Sequence, residues 1–212
     1  MKLDCYILSG GRSRRFGSDK GRMPIDGVPN LLRLHQALAP CFHSVWVVSR
    51  SPDDYADLEL PVISDQIPDQ GPLQGLHTAL NHQRSLYHPQ SAQQLGPSRW
   101  IVVGTCDALT CDPAWWFASV PPPLADIPPQ AQAVTWQADS FQPFPGMFST
   151  FLLGTMESML AAGDRSMQSL KRAIADRWIS LPSPDNASFE QVNTPEELEA
   201  WRQWKEAQRL DN

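Results

Sequence analysis

The sequence predicts an α/β fold in which a mostly parallel sheet is covered by helices on both faces. Four short segments are apolar almost throughout, "LDCYIL", "SVWVVS", "LPVISD" and "RWIVVGTCD", as is typical of strands buried on both faces. Segments with the apolar spacing of helices lie between these strands, the alternation expected of parallel sheets. Ligands of such folds bind at the carboxyl ends of the strands.

The first half of the chain alternates three predicted strands with two predicted helices. In the second helix, Leu73, Leu76 and Leu80 share one face, and the first helix ends at a proline. These five elements cover residues 3–8, 30–40, 44–49, 60–65 and 71–83.

The second half contains two predicted connecting segments. Residues 84–98 are polar and include two prolines and a glycine, which predicts a surface loop or a mobile insertion. Residues 119–130 are rich in proline, which excludes a helix or a central strand. The other elements predicted here are strands at 99–107, 131–136 and 177–182 and a helical stretch over about 151–175.

A last helix is predicted after residue 193. Thr194 is a suitable N-cap, Pro195 suits the first helical position, and Glu197 completes a capping box. An apolar stripe follows and indicates core packing rather than a binding surface: Leu198, Trp201 and Trp204.

Length and composition predict a single domain over residues 1–212. Apolar residues make up 42% and charged residues 19% of the chain, as in globular proteins. No run reaches the roughly 18 apolar residues of a membrane-spanning helix, and the N-terminus lacks the features of a signal peptide. We therefore expect a cytoplasmic protein with no membrane partner.

The cysteines and histidines show no metal-binding pattern. The five histidines lack ligand spacing, which favours structural or exposed roles. The four cysteines include one C-x4-C pair without a second pair nearby, which favours free or buried thiols over zinc or disulfides: Cys5, Cys41, Cys106 and Cys111.

The charge distribution favours a small anionic ligand. The net charge is -6, which argues against nucleic acid as a partner. Residues 1–22 contain six basic and two acidic side chains, so they carry +4 and leave -10 for the remainder. One basic segment on an acidic protein suggests binding of phosphate groups.

The basic segment "ILSGGRSRRFGSDKG" resembles neither of two common phosphate loops. Gly17 is not followed directly by lysine, as a Walker loop requires, and the adjacent pair Gly10 and Gly11 breaks the dinucleotide spacing. The glycines nevertheless allow close approach of a ligand to the backbone, and Arg15 and Lys20 offer positive charge. The alternative is a solvated basic loop, on which Arg12 and Arg14 are the weaker candidates for contact.

Four segments together resemble the molybdenum cofactor guanylyltransferases (MobA-type) of the nucleotidyltransferase family. They are "LSGGRSRRFGSDKG", "VISDQIPDQGPLQGLHTAL", "VVGTCDALTC" and "FEQVNTPEELEAW", in the family's order and spanning residues 7–201. The resemblance implies a Rossmann-like nucleotidyltransferase fold. It also implies that GTP and a molybdopterin-type cofactor, with Mg²⁺, give the guanine dinucleotide cofactor and pyrophosphate, and that a molybdoenzyme or chaperone is a possible recipient of the product.

Site residues follow from this resemblance. Lys20, Arg15 and Asp107 are the expected catalytic residues, and Asp107 is the expected metal ligand because it follows a strand end; a helix-capping or turn role is the alternative. Asp65 is expected at the base or ribose, with a structural turn as its alternative. The nucleotide-binding set is Leu8, Ser9, Gly10, Gly11, Lys20, Asp65, Gly71 and Gly75.

Besides Ser9 in place of alanine and Phe16 in place of methionine in the first motif, three positions depart from the family pattern. Leu109 replaces a usual proline, Gln191 replaces an asparagine, and Gln142 replaces a histidine on the pterin side. Gln142 and Asn193 are the candidates for substrate binding. These departures leave open a non-catalytic nucleotide-binding protein that assists cofactor insertion. A relative that uses CTP or a sugar phosphate is a second alternative, because the choice of base depends on a few pocket residues.

Overall fold

The computed structural model describes most of the chain. The described residues are 2–9, 19–65, 67, 71–87, 100–107, 127–137, 141–182, 194, 196–197, 199–201 and 203.

The structure gives the bounds of nine strands and four α-helices. The strands are β1 (Asp4–Leu8), β2 (Pro24–Ile25), β3 (Val28–Pro29), β4 (Ser44–Ser49), β5 (Val62–Ser64), β6 (Trp100–Thr105), β7 (Ala133–Gln137), β8 (Gly146–Ser149) and β9 (Trp178–Pro182). The α-helices are α1 (Asn30–Leu38), α2 (Pro72–Leu86), α3 (Leu153–Ala161) and α4 (Met167–Ala173). Short 3-10 helices cover Pro52–Leu58, Thr150–Leu152 and Ala175–Arg177.

The main sheet has seven strands in the order β5-β4-β1-β6-β8-β7-β9. The pairs β4–β5, β1–β4, β1–β6 and β7–β9 are parallel, whereas β8 is antiparallel to both of its neighbours. The predicted α/β class and mostly parallel sheet are therefore confirmed. The sequence pattern did not predict β8, which is a four-residue strand and too short for its apolar pattern to stand out.

Strand β1 separates two hydrophobic cores, one on each face of the sheet. Cys5 and Ile7 belong to the core that includes the buried leucines of α1, and Tyr6 and Leu8 belong to the core that includes those of α2. All four side chains are buried because alternate residues of a strand point to opposite faces. An unbroken apolar run is what such a strand requires.

The prediction of one continuous helical stretch over about 151–175 is wrong. The stretch is divided into a 3-10 turn, α3 and α4. Gly163 lies just beyond α3 with φ 80°, a conformation that ends a helix and that glycine adopts without strain. Ser166 then caps α4, since its side chain accepts a hydrogen bond from the Ser169 N–H.

Two further differences concern local elements. Helix α2 continues to Leu86, so the predicted loop begins later than residue 84; residues 88–98 lie outside the described ranges. A hairpin that sequence reasoning missed pairs β2 with β3, Ile25 opposite Val28. Its two-residue turn is Asp26-Gly27, and Asp-Gly is a strong hairpin signal that could have revealed it.

The predicted capping box is present. The Thr194 N–H donates to Glu197 Oε2 and the Glu197 N–H donates to Thr194 Oγ1, both at 3.2 Å. Trp201 is buried, as the apolar stripe predicted, whereas Leu198 and Trp204 lie outside the described residues.

The described cysteines are free thiols. Cys5 and Cys106 are buried and Cys41 is exposed, whereas Cys111 lies outside the described residues. None of the described helices combines the length and hydrophobicity that crossing a bilayer demands.

The break after α3 yields a stability prediction with a matched control. At both Gly163 and Gly154, the position that a Cβ atom would take has no described atom within 4 Å, so alanine causes no clash there. Gly163→Ala should lower the free energy of unfolding by about 1–2 kcal/mol because its φ is positive. Gly154→Ala, inside α3, should raise it by about 0.5 kcal/mol. Urea denaturation measures both, and equal values for the two variants would contradict this account.

Candidate functional site

The site forms where β1 lies between β4 and β6. Leu8, at the end of β1, is opposite Val48 on one side and Thr105 on the other. The Ser9 N–H donates to the Val48 carbonyl at 3.0 Å, and the Cys106 N–H donates to the Leu8 carbonyl at 3.2 Å. The segments that follow β1 and β6 therefore leave the sheet side by side. This junction is the kind of topological switch point at which α/β folds bind ligands.

Lys20 and Asp107 meet at this junction. Lys20 Nζ lies 3.5 Å from Asp107 Oδ2, and the exposed fractions of the two side chains are 13% and 25%. The sequence predicted both as site residues, and the structure brings them together across 87 positions of the chain. Because both groups are partly buried, their charges are screened less than they would be in bulk water. Such a pair is suited to a ligand that carries both negative charge and a cation.

Residues 10–18 of the glycine loop lie outside the described ranges. These include the predicted contacts Gly10, Gly11, Arg12, Arg14 and Arg15. Their roles therefore stay predictions.

Asp19 anchors the segment that carries Lys20. Its Oδ1 accepts a hydrogen bond from the Gly21 N–H at 2.8 Å, and the Tyr55 hydroxyl lies 3.0 Å from both of its carboxylate oxygens. Burial, and to a smaller extent the Asp19 carboxylate, raise the pKa of Tyr55 well above its usual range, so its hydroxyl stays a donor. Sequence reasoning missed Tyr55, because no local signal indicates that a tyrosine of the 3-10 helix Pro52–Leu58 contacts Asp19.

Arg22 connects the segment that carries Lys20 to the 3-10 helix Pro52–Leu58. Its guanidinium donates to both Asp57 carboxylate oxygens at 2.8 and 2.7 Å and to the Asp54 carbonyl at 2.6 Å. It also lies over the Tyr55 ring, 5.4 Å from the centroid. The bidentate hydrogen bonds lower the pKa of Asp57. Arg22, one of the six basic side chains of residues 1–22, thus contacts the protein itself.

Gly21 permits the close packing of this anchored segment. A Cβ atom at Gly21 would overlap Leu31 Cδ1 and would lie 2.7 Å from the Tyr55 hydroxyl oxygen. The Leu31 N–H donates to the Gly21 carbonyl at 2.9 Å. Lys20 consequently stands between two residues that are each held by other parts of the fold.

Asp65 lies at the same edge of the sheet, beyond β5. Its N–H donates to the Ser49 carbonyl at 2.6 Å, which continues the pairing of β5 with β4. The Thr78 hydroxyl of α2 donates to Asp65 Oδ1 at 2.8 Å. This contact ties the turn to α2 and fits the structural alternative, while a nucleotide contact stays a prediction.

Gly75 and Leu8 form a packing contact. A Cβ atom at Gly75 would lie 3.3 Å from Leu8 Cδ2, so the glycine lets α2 approach the end of β1. Gly75, predicted for the nucleotide-binding set, thus has a packing role in the structure, while its contact with a nucleotide stays a prediction. Gly71 precedes α2 with φ 82°, and no described atom lies within 4 Å of the position that its Cβ would take. Position 71 therefore favours glycine because of its backbone conformation and not because of close packing.

Gln142 lies in the segment that enters β8. Gly146, the first residue of β8, is opposite Val103 of the antiparallel strand β6, so the chain enters β8 near the edge where β6 ends. Gln142 is half-buried there. The other predicted substrate residue, Asn193, lies outside the described ranges.

Two histidines of α2 contact other side chains. His77 Nε2 lies 3.9 Å from Glu157 Oε1, and His82 Nδ1 lies 2.9 Å from the Tyr6 hydroxyl oxygen. Burial lowers the pKa of both imidazoles. Within the described residues, no group of three or more His, Cys, Asp or Glu side chains is arranged to hold a metal by itself.

The sequence and the fold are similar to those of known proteins. A molybdenum cofactor guanylyltransferase of Syntrophotalea carbinolica is 29% identical over 203 residues, covering 92% of this chain and 89% of the relative. Another of the same name from Vibrio cholerae is 29% identical over 197 residues, covering 91% and 87%. The crystal structure of molybdopterin-guanine dinucleotide biosynthesis protein A from Archaeoglobus fulgidus aligns with a TM-score of 0.71 at 18% identity, covering 97% of this chain and 100% of that one.

The family described as the MobA-like NTP transferase domain matches residues 5–178. This range includes the described residues that were predicted for the site, from Leu8 to Gln142. It also includes the main sheet except for the first residue of β1 and the last four of β9. The chain therefore belongs to the MobA-like NTP transferase family and is a nucleotidyltransferase.

Proposed function

We propose that this enzyme transfers GMP from GTP to the terminal phosphate of a molybdopterin-type cofactor. An oxygen of the cofactor phosphate attacks the α-phosphorus of GTP, and the bond from that phosphorus to the oxygen bridging the α- and β-phosphates breaks. The products are the guanine dinucleotide cofactor and pyrophosphate. The observation that carries the proposal is the contact of Lys20 with Asp107 at the switch point, 3.5 Å between Nζ and Oδ2. The guanylyltransferase names of the relatives support the choice of GTP and cofactor.

Lys20 supplies the positive charge that this reaction needs. Several phosphate groups must come together, and their repulsion falls when fixed positive charge lies beside them. The lysine is mostly shielded from water and its neighbours Asp19 and Gly21 are both anchored. Little reorganisation is thus required when the triphosphate binds. Arg15 and the N–H groups of Gly10 and Gly11 are proposed to complete this binding site.

Asp107 is the proposed ligand of Mg²⁺. Mg²⁺ in nucleotide-binding sites is held by one or two carboxylates together with phosphate oxygens and water. One partly exposed carboxylate beside an ammonium fits that donor set, and it needs no cluster of protein ligands. When bound, Mg²⁺ would neutralise phosphate charge and help orient the triphosphate.

The other assignments complete the proposal. Asp65 would contact the base or ribose, with Leu8, Ser9, Gly71 and Gly75 shaping the nucleotide site. Gln142 would contact the pterin substrate, and Asn193 would assist at the metal or at the substrate phosphate. We also expect residues 1–212 to form one domain in the cytoplasm, with a molybdoenzyme or its chaperone as recipient and without nucleic acid or membrane partners.

Removal of the carboxylate at position 107 tests the metal assignment. Asp107→Ala should lower kcat by about 100-fold or more in the presence of Mg²⁺, because charge stabilisation of the transition state is lost. Steady-state release of pyrophosphate measures the effect. Asp176→Ala is the control, since the Asp176 side chain is 84% exposed and contacts Arg177 in the 3-10 turn Ala175–Arg177, which precedes β9. Equal rates for Asp107→Ala and the control would contradict the assignment.

Loss of the lysine charge should primarily weaken nucleotide binding. Lys20→Ala is expected to raise the Kd of GTP by about 10- to 100-fold, the range for a hydrogen bond to a charged group. Equilibrium titration measures this Kd, with Lys2→Ala as the control because Lys2 is exposed and bonds to the Pro40 carbonyl. Unchanged affinity in Lys20→Ala would exclude a triphosphate contact.

Nucleotide choice tests the proposed reaction itself. Pyrophosphate release should be fastest with GTP when GTP, CTP, ATP and UTP are compared in the presence of a molybdopterin acceptor. Release should also depend on that acceptor, and mass spectrometry should detect the guanine dinucleotide product. Preference for CTP, or turnover with a sugar phosphate in place of the pterin, would support the alternative nucleotidyltransferase and overturn the proposal.

A further inference from the structure

We propose that Asn30 is a positioning residue for Asp107, and that it sets the geometry of metal-dependent GTP binding. This inference rests on the proposed function, in which Asp107 holds Mg²⁺. Asn30 is the first residue of α1, and neither the glycine loop nor the other three motifs contains it.

Asn30 contacts the residue that directly precedes Asp107. Its side chain is fully buried, and its Nδ2 donates to the Cys106 carbonyl at 2.9 Å. The Cys106 N–H in turn donates to the Leu8 carbonyl. Both backbone polar groups of Cys106 are therefore held, one by β1 and one by Asn30. This leaves the backbone little freedom at the point from which the Asp107 side chain projects.

The amide of Asn30 has one orientation that satisfies both of its neighbours. Its Oδ1 accepts from Arg33 Nη2 at 3.1 Å, while its Nδ2 faces the Cys106 carbonyl. A carbonyl can only accept and a guanidinium can only donate. A reversed amide would lose both bonds, so Arg33 holds Asn30 in the orientation that binds Cys106.

The same end of α1 also holds the lysine side of the site. The Leu31 N–H donates to the Gly21 carbonyl, and the Asn30 N–H donates to the Met23 carbonyl, both at 2.9 Å. Gly21 directly follows Lys20. The first two residues of α1 thus contact a neighbour of Lys20 and a neighbour of Asp107, and the separation of these two charged groups depends on them.

Asn30 therefore acts on the metal through the carboxylate that it positions. Groups that orient a metal ligand without touching the metal affect metal affinity by about 10- to 100-fold. A purely structural amide would behave differently, because its loss would reduce stability without a specific effect on the metal-dependent part of binding. The two roles can be separated by a binding ratio.

In the experiment, the enzyme is titrated with a fluorescent GTP analogue, once in the presence of EDTA and once in the presence of Mg²⁺. The quantity compared between variants is the Kd in EDTA divided by the Kd in Mg²⁺. For Asn30→Ala, this ratio should fall by about 10-fold, while the Kd in EDTA stays within about twofold of the wild-type value. Asn30→Asp retains the side-chain size but replaces the donor with an acceptor, and its ratio should fall as well. It serves as the second variant if Asn30→Ala does not fold.

The matched control is another buried amide, Gln83→Ala. Gln83 lies in α2, where it donates to Asp4 and accepts from Tyr6 near the opposite end of β1. This variant should lose stability in urea denaturation and keep the wild-type ratio. A ratio that falls equally in the control, or that stays at the wild-type value in both Asn30 variants, would overturn the inference.

The wild-type titration separates the two proposals. A clear gain of affinity with Mg²⁺ in the wild-type enzyme, combined with unchanged Asn30 variants, would overturn the role of Asn30 alone. Absence of any gain with Mg²⁺ in the wild-type enzyme would overturn the metal assignment of Asp107 and the role of Asn30 with it.

Discussion

The parallel pairing of β1 with both β4 and β6 is the constraint from which the site follows. Because Leu8 is opposite Val48 and Thr105 at once, the segments after all three strands begin at one edge of the sheet. A shift of one residue in the β1–β6 register would turn alternate side chains of β1 to the wrong core. The two cores that bury Ile7 and Tyr6 on opposite faces therefore also preserve the position of Asp107 relative to the glycine loop.

Around this junction, neutral and charged side chains stabilise the backbone on either side of Lys20 and next to Asp107. Tyr55 contacts Asp19, Arg22 contacts Asp57, and Asn30 contacts the Cys106 carbonyl. These contacts fix backbone positions next to Lys20 and Asp107 and leave the two charged groups partly accessible. A ligand that binds a site so prepared loses less free energy to ordering of the protein. The exposed Arg22–Asp57 pair contributes chiefly geometry, because solvent screens its charges.

Several elements were predictable from particular residues. The runs around Cys5, Val47 and Val102 are apolar because both faces of their strands are buried, and the Thr194–Glu197 capping box is a local signal that needs no tertiary context. The prediction failed where local signals are short or compete. Strand β8 has four residues, and the turn at Gly163 interrupts a segment whose apolar residues on both sides favour helix.

The sequence by itself determined the chemical groups of the site and their attachment to strand ends: Lys20 after a glycine loop, and Asp107 after an apolar strand. Only the tertiary structure decided that these groups meet and which residues hold them. Lys20 and Asp107 are 87 residues apart, and Asn30 and Cys106 are 76 apart. Contacts at such separations depend on strand order and helix packing rather than on local propensity. The contacts of Tyr55 with Asp19 and of Asn30 with Cys106 consequently have no signature in the neighbouring residues. They exist only because the fold brings residues that are distant in the sequence within hydrogen-bonding distance.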